Sequence, residues 1–367
     1  MNNSFGSAFT VTTFGESHGA ALGVIVDGMP AGIPIDSSFI QHELDRRKPG
    51  QSAVSTARKE SDTGEILSGV FQGVSTGTPI AVLLRNADQH SKDYSNIAEI
   101  FRPGHADFTF FQKYGIRDYR GGGRSSGRET AARVAAGAIA KLLLKEYGIT
   151  VRACTSQIGK VKAQTPFDWD EVEKNIVRSA DAGAAEKMIL AIKEAQAQKD
   201  SIGGAVYGEI LGLPAGLGEP VFDKLDALLA HGFMSIGGIK GVEIGDGFDV
   251  AEKLGSENND PMDEKGFLSN HAGGILGGIS NGNTVTFRLA VKPTPSIASL
   301  QKSVDIHGKE VDVEISGRHD PCLVPRIVPV AEAMAAIVTA DLLLRNRSAK
   351  KRQTGKKSFF FSKIGKK

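Results

Sequence analysis

Two histidines stand in short polar motifs whose residue types and spacing could do chemistry. His18 lies in GESHG (15–19), and His105 lies in RPGHAD, three residues after Arg102. Imidazole gains and loses a proton near neutral pH, so a positioned histidine can serve as a general acid or base. The simpler alternatives are a surface-loop histidine for His18 and a hydrogen-bonded core histidine for His105. Both are therefore candidates for proton transfer.

A glycine- and arginine-rich segment, RGGGRSSGRETAAR (120–133), follows the second histidine. Three consecutive glycines let the backbone approach a ligand closely. Arg124, Ser125 and Ser126 then open a predicted helix, whose N-terminus offers free N–H groups and a positive dipole end. The segment predicts an anion site, and a glycine-rich connection with solvated arginines is the alternative. It matches neither the P-loop nor the G-x-G-x-x-G dinucleotide motif.

A second candidate anion site is KPTPS (292–296). Lys292 supplies a cation, and Thr294 and Ser296 supply two hydroxyls within five residues. Charge and hydroxyl donors at this spacing suit a phosphate monoester.

The motif GRHDPC (317–322) adds a charged cluster in which Arg318, His319 and Asp320 are consecutive. His319, Asp320 and Cys322 could suggest a metal site. Their spacing matches no common zinc pattern, so a metal is the weaker interpretation.

The GESHG motif also matches G-x-S-x-G, the nucleophile elbow of α/β-hydrolases. That signal is weak, because GRSSG (123–127) and GISNG (278–282) match equally well in a chain with 44 glycines. The elbow also needs a helix after its serine, whereas residues 21–27 read as a strand. A hydrolase is therefore disfavoured.

Predicted strands and helices surround these motifs. Strands over 9–14 and 21–32 flank GESHG, and residues 52–100 read as short strands and loops. Asp36 is predicted to cap a helix that ends near residues 46–50. The clearest helix covers 127–147, with Ser126 and Glu129 as a capping box and Gly148 as its stop. Further helices are predicted at 169–180, 185–198, 222–231 and 329–345.

An internal repeat relates residues 17–33 to residues 201–217. The two stretches align without a gap, and seven of seventeen positions are identical. The offset is half the chain, which suggests two related halves packed as one pseudo-symmetric body, although chance matching in glycine-rich sequence is the alternative. His18 becomes Ile202 in the second copy. If the two loops fold alike, the backbone does not require a histidine there, and a functional role for His18 gains weight.

Composition and charge limit the class of protein. The formal charge of the 367 residues is +2, but residues 345–367 carry ten Lys or Arg and no acid, which leaves −8 on the remainder. We therefore predict one catalytic domain over residues 1–345 and a basic, disordered tail over 346–367. The acidic body argues against a nucleic-acid partner. We expect no signal peptide and no membrane span, and two cysteines without a CxxC pair fit a cytoplasmic protein.

At these residues the sequence resembles the chorismate synthase family over about residues 6–345. The resemblance lies in GESHG with DGMPAG, in RGGGRSSGRETAARVAAGAIA and in GRHDPC, and extends to RPGHAD, FMSIGGIKGVEIGDG, NHAGGILGGISNG and KPTPS. It implies an α+β fold, a single large β-α-β sandwich. It implies a carbon–oxygen lyase that eliminates phosphate, in an anti 1,4 sense, from 5-enolpyruvylshikimate 3-phosphate to give chorismate. It also implies a need for reduced FMN without net redox change, and a homotetramer.

The resemblance also implies residue roles. His18 would assist departure of phosphate, His105 would protonate the reduced flavin, and Asp320 with Ser17 would help the flavin take the ring proton. The substrate-binding residues it implies are Arg47, Arg102, Arg128 and Arg318. The flavin contacts it implies are Arg124, Ser125, Ser126, Gly237, Gly238, Gly277, Lys292, Pro293, Thr294, Pro295, Ser296 and Arg318.

Three positions depart from the family's pattern. Arg47 resembles a residue assigned to nicotinamide contact, but the second basic position of that contact is Ala53 here. NADPH is therefore a doubtful source of reducing equivalents, and we expect a separate flavin reductase. Lys48 and Gly127 stand where arginine and alanine are common; glycine should only loosen the helix start.

A rival class is a binding module, either flavodoxin-like or RNA-binding, that recruits partners through its tail. Tight binding of oxidised FMN without turnover would favour that class.

Overall fold

The computed structural model describes residues 3–50, 61–86, 98–315 and 320–349. The strands are β1 (Ser4–Phe5), β2 (Thr10–Gly15), β3 (Ala21–Asp27), β4 (Gly64–Ile66), β5 (Val70–Phe71), β6 (Val74–Ser75), β7 (Ile80–Arg85), β8 (Thr150–Ile158), β9 (Val161–Lys162), β10 (Gly204–Leu211), β11 (Ile239–Ile244), β12 (Met262–Asp263), β13 (Gly266–Phe267), β14 (Ile275–Leu276), β15 (Ile279–Ser280), β16 (Val285–Val291), β17 (Gln301–Val304) and β18 (Glu310–Val313). The helices are α1 (Ser37–Arg47), α2 (Asp107–Tyr114), α3 (Thr130–Lys145), α4 (Ala182–Ala197), α5 (Leu225–Met234), α6 (Gly255–Asn258) and α7 (Val324–Arg345).

Two five-stranded antiparallel sheets enclose the long helices. The first sheet has the order β1-β2-β3-β7-β4, and the second has the order β11-β16-β10-β8-β9. Helix α3 packs on β2, β3 and β7, helix α7 packs on β8 and β10, and the two helices pack on each other. One hydrophobic core runs through all three layers. The predicted α+β class, a β-α-β sandwich, is confirmed.

The two central helices approach most closely at Gly137 of α3. A Cβ atom built there would overlap Ala333 of α7. The small-residue pattern of α3 (TAARVAAGAIAKLLLK) thus serves close helix packing, because bulkier side chains would separate the two backbones.

Helix α7 is long and apolar enough to cross a membrane by length and composition, with a mean hydropathy of 1.9. Its apolar window is 94% buried between the sheets. It is therefore the core helix of this sandwich.

Each copy of the repeat forms the central strand of one sheet. In the first sheet β3 lies between β2 and β7, with β4 outside β7; in the second, β10 lies between β8 and β16, with β11 outside β16. Later in the chain than each sheet comes the long helix that packs on it: α3 comes after β7, and α7 comes after β16. The same strand order and the same following helix therefore occur twice.

Most predicted elements are confirmed, with shifted ends. Asp36 caps α1 by accepting from the N–H groups of Ser38 and Phe39. The helices predicted at 185–198 and 222–231 are α4 and α5: α4 begins three residues earlier than predicted, and α5 is shifted by three residues at both ends. The capping box is wrong: Ser126 Oγ accepts from Arg128 N at 3.4 Å, and the Glu129 carboxylate binds Arg133 instead.

The helix predicted over 169–180 is also wrong, and only a 3₁₀ turn at Trp169–Glu171 forms. The Asn175 side chain donates to the backbone oxygens of Glu171 and Ser179, which gives the backbone an alternative to helical bonds. Arg178 adopts a φ of 53°, which no helix continues through.

Helix α7 begins five residues before the predicted start and runs through Pro329. A proline has no N–H for the carbonyl four residues earlier, here that of Pro325. Arg178 NH1 donates to this carbonyl at 3.1 Å. A guanidinium from another segment thus replaces the bond that Pro329 cannot make.

Candidate active site

The five-residue loop between β2 and β3 carries Ser17 and His18. Both residues are buried, and Ser17 Oγ lies 3.1 Å from His18 Nδ1. A Cβ atom at Gly121 would overlap the His18 ring, so only glycine lets the segment 120–128 lie against this loop. The strand β3 follows the loop directly, so the helix that a nucleophile elbow requires is not there.

The His105 ring packs against Gly122, the next glycine of the same segment. A Cβ atom at Gly122 would be 3.0 Å from His105 Cε1. His105 Nδ1 lies 3.0 Å from Asp107 Oδ1 and 3.1 Å from Arg102 NH2. Burial lowers the pKa of His105 below its usual value, and the charges of Arg102 and Lys292 add to that effect, while the Asp107 carboxylate opposes it. The lowered pKa favours the neutral imidazole in the free protein.

Arg102 is already engaged by a carboxylate. Its Nε and NH2 donate to the two oxygens of Asp107 at 2.6 and 2.9 Å, and both side chains are buried. Arg117 NH1 lies 3.3 Å from the same carboxylate. Arg102 therefore holds Asp107 and His105 in place as a unit.

Arg47 and Arg128 meet on one buried carboxylate, that of Asp62. Burial alone would raise the pKa of Asp62, but the two guanidinium charges outweigh it and lower that pKa to about 2. Burial lowers the pKa of Arg47 to about 10, against the Asp62 charge, and the neighbouring charges of Arg326 and Arg128 add to the lowering. Three arginines thus crowd together at the C-terminal end of α1, and within the described ranges Arg47 Nε is buried without a hydrogen-bond partner.

Asp320, which lies just before α7, also contacts this arginine cluster. The Asp320 carboxylate pairs with Arg326, whose Nε donates to the Arg47 carbonyl oxygen at 3.2 Å. Arg128 and Arg326 both lie near helix N-termini, so two positive dipole ends face the same region. Arg318 and His319 lie outside the described residues, as does Ala53.

The serines of the glycine segment bind the backbone around them. Ser125 Oγ donates to the Gly122 carbonyl at 2.8 Å, and Ser126 caps the 3₁₀ turn Gly127–Glu129. Arg124 points the other way, donating to Thr13 Oγ1 at 2.7 Å. Arg124 lines a cavity of about 1050 Å³ that also includes Gly123 but neither His18 nor His105.

The run from Lys292 to Ser296 reaches the His105 segment. Lys292 Nζ donates to the Gly104 carbonyl at 2.7 Å, and a Cβ at Gly104 would lie 3.3 Å from Pro295. Burial and the neighbouring charge of Lys240 lower the pKa of Lys292. Thr294 Oγ1 is buried and has no hydrogen-bond partner among the described residues, and Ser296 is buried.

The remaining candidates lie at the edge of this cluster. The Gly238 carbonyl accepts from Lys292 N at 2.9 Å, and a Cβ at Gly237 would meet open space. Pro293 packs against Gly203, which lies two residues after Ser201, the serine of the repeat's second copy. Gly277 lies in the turn between β14 and β15, and no contact within the described residues joins it to the histidines.

Three residues at the centre of the site were missed from the sequence: Asp62, Asn86 and Arg326. Asp62 follows RKES and Arg326 lies in PCLVPRIVP, and neither motif indicates a site. The one sequence signal that could have selected Asp62 is an acidic residue close in the chain to several arginines. Over the described residues no group of three or more His, Cys, Asp or Glu could hold a metal ion.

Comparisons with known proteins agree on one family. The family model described as chorismate synthase matches residues 9–344. A chorismate synthase of a Nitratiruptor species is 56% identical over 347 residues, covering 95% of this chain and 97% of the relative. One of Sulfurimonas denitrificans is 55% identical over 344 residues, covering 94% and 96%. A solved structure, "Crystal Structure of Chorismate Synthase", superposes with a TM-score of 0.75 at 33% identity over 93% of each chain.

Proposed function

The chain belongs to the chorismate synthase family, and from that premise we propose how its own residues divide the work of the reaction. The activity is that of a carbon–oxygen lyase in the shikimate pathway, which eliminates phosphate from 5-enolpyruvylshikimate 3-phosphate to give chorismate. Two contacts carry the assignment of roles. His18 and His105 pack against consecutive glycines, and Arg47 and Arg128 both pair with the Asp62 carboxylate.

The arginine cluster is the proposed substrate-binding region. The substrate carries one phosphate and two carboxylates, and guanidinium forks bind such groups in two-pronged geometry. Arg47 and Arg128 are already oriented by Asp62, so little side-chain entropy is lost when an anion binds. Arg318 is proposed here on its sequence position alone. Arg102 contributes indirectly, since its fork is occupied by Asp107.

His18 is the proposed acid for the leaving phosphate. Its ring is held by Ser17 Oγ on one side and by the Gly121 backbone on the other. A proton delivered to the bridging oxygen stabilises the charge that develops as the carbon–oxygen bond breaks.

Reduced FMN is the proposed cofactor, and the residues fit a bound phosphate ester. Thr294 Oγ1 is a buried hydroxyl that binds no partner in the described part of the chain, and Lys292, two residues earlier in the sequence, supplies an ammonium group. The proposed flavin contacts are those given above, from Arg124 to Ser126, Gly237, Gly238, Gly277, Lys292 to Ser296 and Arg318. Bound reduced flavin would supply electron density transiently as phosphate leaves, without net oxidation.

His105 and Asp320 are the proposed proton carriers beside the flavin. Burial and the charges of Arg102 and Lys292 lower the pKa of His105 in the free protein, against the effect of the Asp107 carboxylate. Two anionic ligands would oppose that lowering and favour the imidazolium. Asp320 pairs with Arg326 beside Arg47, and with Ser17 it would help the flavin take the ring proton.

The assembly and its surroundings are also proposals. Phe14 and Ile25 are 41% and 40% exposed on the outer face of the first sheet, which supports contact between copies in a homotetramer. Two free, buried cysteines support a reducing, cytoplasmic compartment. Ala53 stands at the second basic position of the nicotinamide contact, which supports a separate flavin reductase over direct NADPH use.

The test is an anaerobic assay of chorismate formation with dithionite-reduced FMN. We expect activity with reduced FMN, none with oxidised FMN, and many turnovers for each flavin oxidised. Chorismate formed is compared with flavin oxidised in a sealed cuvette. A one-to-one ratio would mean that the flavin is a stoichiometric reductant and would overturn the proposal.

A further inference from the structure

We propose that Asn86 is a positioning residue that holds the loop of Ser17 and His18 in register with Arg128. This inference rests on the roles proposed above for His18 and Arg128. Asn86 itself is assigned no contact with substrate or cofactor.

The Asn86 amide makes three hydrogen bonds, each to a part of the site. Its Nδ2 donates to the carbonyl oxygens of Glu16 at 2.9 Å and Gly19 at 2.8 Å, which bracket Ser17 and His18. Its Oδ1 accepts from Arg128 Nε at 2.8 Å. Two carbonyls and one guanidinium N–H leave a single orientation for the amide, because the reverse orientation would set donor against donor.

The fold delivers Asn86 to this position. Asn86 directly follows β7, whose last residue pairs with Ala21 at the start of β3, and its N–H donates to the Ala20 carbonyl at 3.2 Å. The equivalent strand of the second sheet, β16, is directly followed by Lys292. The same strand end thus supplies a polar side chain to the site from each half of the molecule.

Asn86 shares an acceptor with the turn inside the loop. Within the loop the Gly19 N–H donates to the Glu16 carbonyl at 3.1 Å, and the same Glu16 oxygen then accepts from Asn86. The His18 ring lies directly against Gly121, so a small loop movement changes where the imidazole points. Misplacing a reacting group by about 1 Å can lower the rate about 100-fold.

Two substitutions distinguish the contribution of the Asn86 amide nitrogen from that of its amide oxygen. Asn86→Asp keeps an oxygen for Arg128 but loses both donors and sets a negative charge against two carbonyls. We expect kcat to fall about 10- to 100-fold while KM for the enolpyruvyl substrate stays within about threefold. Asn86→Ala also removes the acceptor for Arg128, so kcat should fall and KM should rise. A general loss of folded protein would lower the apparent kcat of both variants without moving either KM.

Asn175→Asp is a matched control. Asn175 Nδ2 also donates to two backbone carbonyls, those of Glu171 and Ser179, and its Oδ1 accepts an N–H. This control should shift the melting temperature about as much as Asn86→Asp and leave kcat near the wild-type value.

The experiment uses the full chain with reduced FMN and measures kcat, KM and melting temperature for each variant. Wild-type turnover must first be observed; its absence counts against the proposed function, not against Asn86. With an active wild type, an Asn86→Asp kcat within twofold of wild type, or an equal loss in Asn175→Asp, would overturn the inference. If Asn86→Asp does not fold, a folded Asn86→Ala variant with unchanged kcat and KM would overturn it as well.

Discussion

At the scale of single residues, the site is defined by side chains fixed by their neighbours before any ligand arrives. Asp62 aligns two arginines, Asp107 aligns Arg102 with His105, and a glycine backbone supports each histidine. Orientation that is already fixed in the free protein need not be paid for when substrate binds.

Replacing either histidine should abolish most turnover without unfolding the protein. His18→Ala and His105→Ala should each lower kcat by ~10²–10⁴, the usual effect of removing a general acid or base. His42→Ala, on the exposed face of α1, is the control and should leave kcat unchanged. Steady-state kinetics with circular dichroism spectra check the prediction, and wild-type turnover in both site variants would contradict it.

The Asp62 carboxylate should make stability depend on pH in the acid range. Its pKa in the folded protein, about 2, lies below the ordinary 3.8, so the folded state binds fewer protons than the unfolded state between these values. Its stabilising contribution, about 2 kcal/mol, is present above pH 4 and is lost as the pH falls towards 2. Urea unfolding of wild type and Asp62→Asn should show a difference in free energy that narrows by that amount on acidification. A difference that stays constant between pH 5 and pH 2.5 would show that Asp62 is not the titrating group.

At the scale of elements, segments far apart in the chain complete each other's hydrogen bonds. Arg178 donates to the carbonyl that Pro329 leaves unsatisfied within α7. Asp341 of α7 accepts from the N–H groups of Ser7, Ala8 and Phe9 at 2.6–2.9 Å, which fixes the start of the first sheet on the core helix.

Arg178→Ala should therefore destabilise α7, because it leaves the buried Pro325 carbonyl without its hydrogen-bond donor. We expect a loss of about 1–3 kcal/mol in the free energy of unfolding, the usual effect of leaving a buried acceptor unsatisfied. Pro329→Ala restores an N–H for the Pro325 carbonyl, so Arg178→Ala should be less harmful in that background. Chemical denaturation of the two single variants and the double variant measures the coupling. Additive losses would mean that Arg178 acts only through Glu173, its ion-pair partner at 3.5 Å.

At the scale of the whole molecule, two equivalent sheets enclose two helices, and the site forms where the ends of both halves meet. The loop before β3 meets Asn86 after β7, and Ser201 Oγ before β10 donates to the Thr294 carbonyl after β16 at 2.7 Å. The correspondence supports our proposal of one pseudo-symmetric domain over residues 1–345. The basic tail beyond residue 349 lies outside the described residues.

Removing residues 349–367 should leave activity and melting temperature almost unchanged. Its sequence has no periodic apolar face and no acid, so its charges should be solvated. A longer truncation that also removes Arg345 should lower the melting temperature, because Arg345 pairs with Asp223 at 3.0 Å and with Asp341 at 3.8 Å. Thermal unfolding of both truncations checks this, and a large drop for the shorter one would show that the tail packs on the body.

The sequence by itself predicted which motifs are functional and determined where most of the long elements run. Glycine spacing, the 3.6-residue apolar stripe of α3 and the Asp36 cap are local signals, so GESHG, RPGHAD and the glycine segment could be selected without coordinates. A local signal failed at Pro329 because a distant residue, Arg178, lets α7 pass through that proline. Another failed at 169–180 because the Asn175 side chain binds backbone oxygens within that segment and gives the backbone an alternative to the helix.

Only the tertiary structure decided which residues of the site touch. Asp62, Asn86 and Arg326 lie 15, 39 and 279 residues beyond Arg47 and belong to no motif, yet they orient the arginines and the His18 loop. It also decided that Arg102 binds Asp107 and that Arg124 lines a cavity that neither His18 nor His105 lines. The physical reason is that a charge's partner is chosen by burial and distance, and both are set by how the two sheets close around α3 and α7.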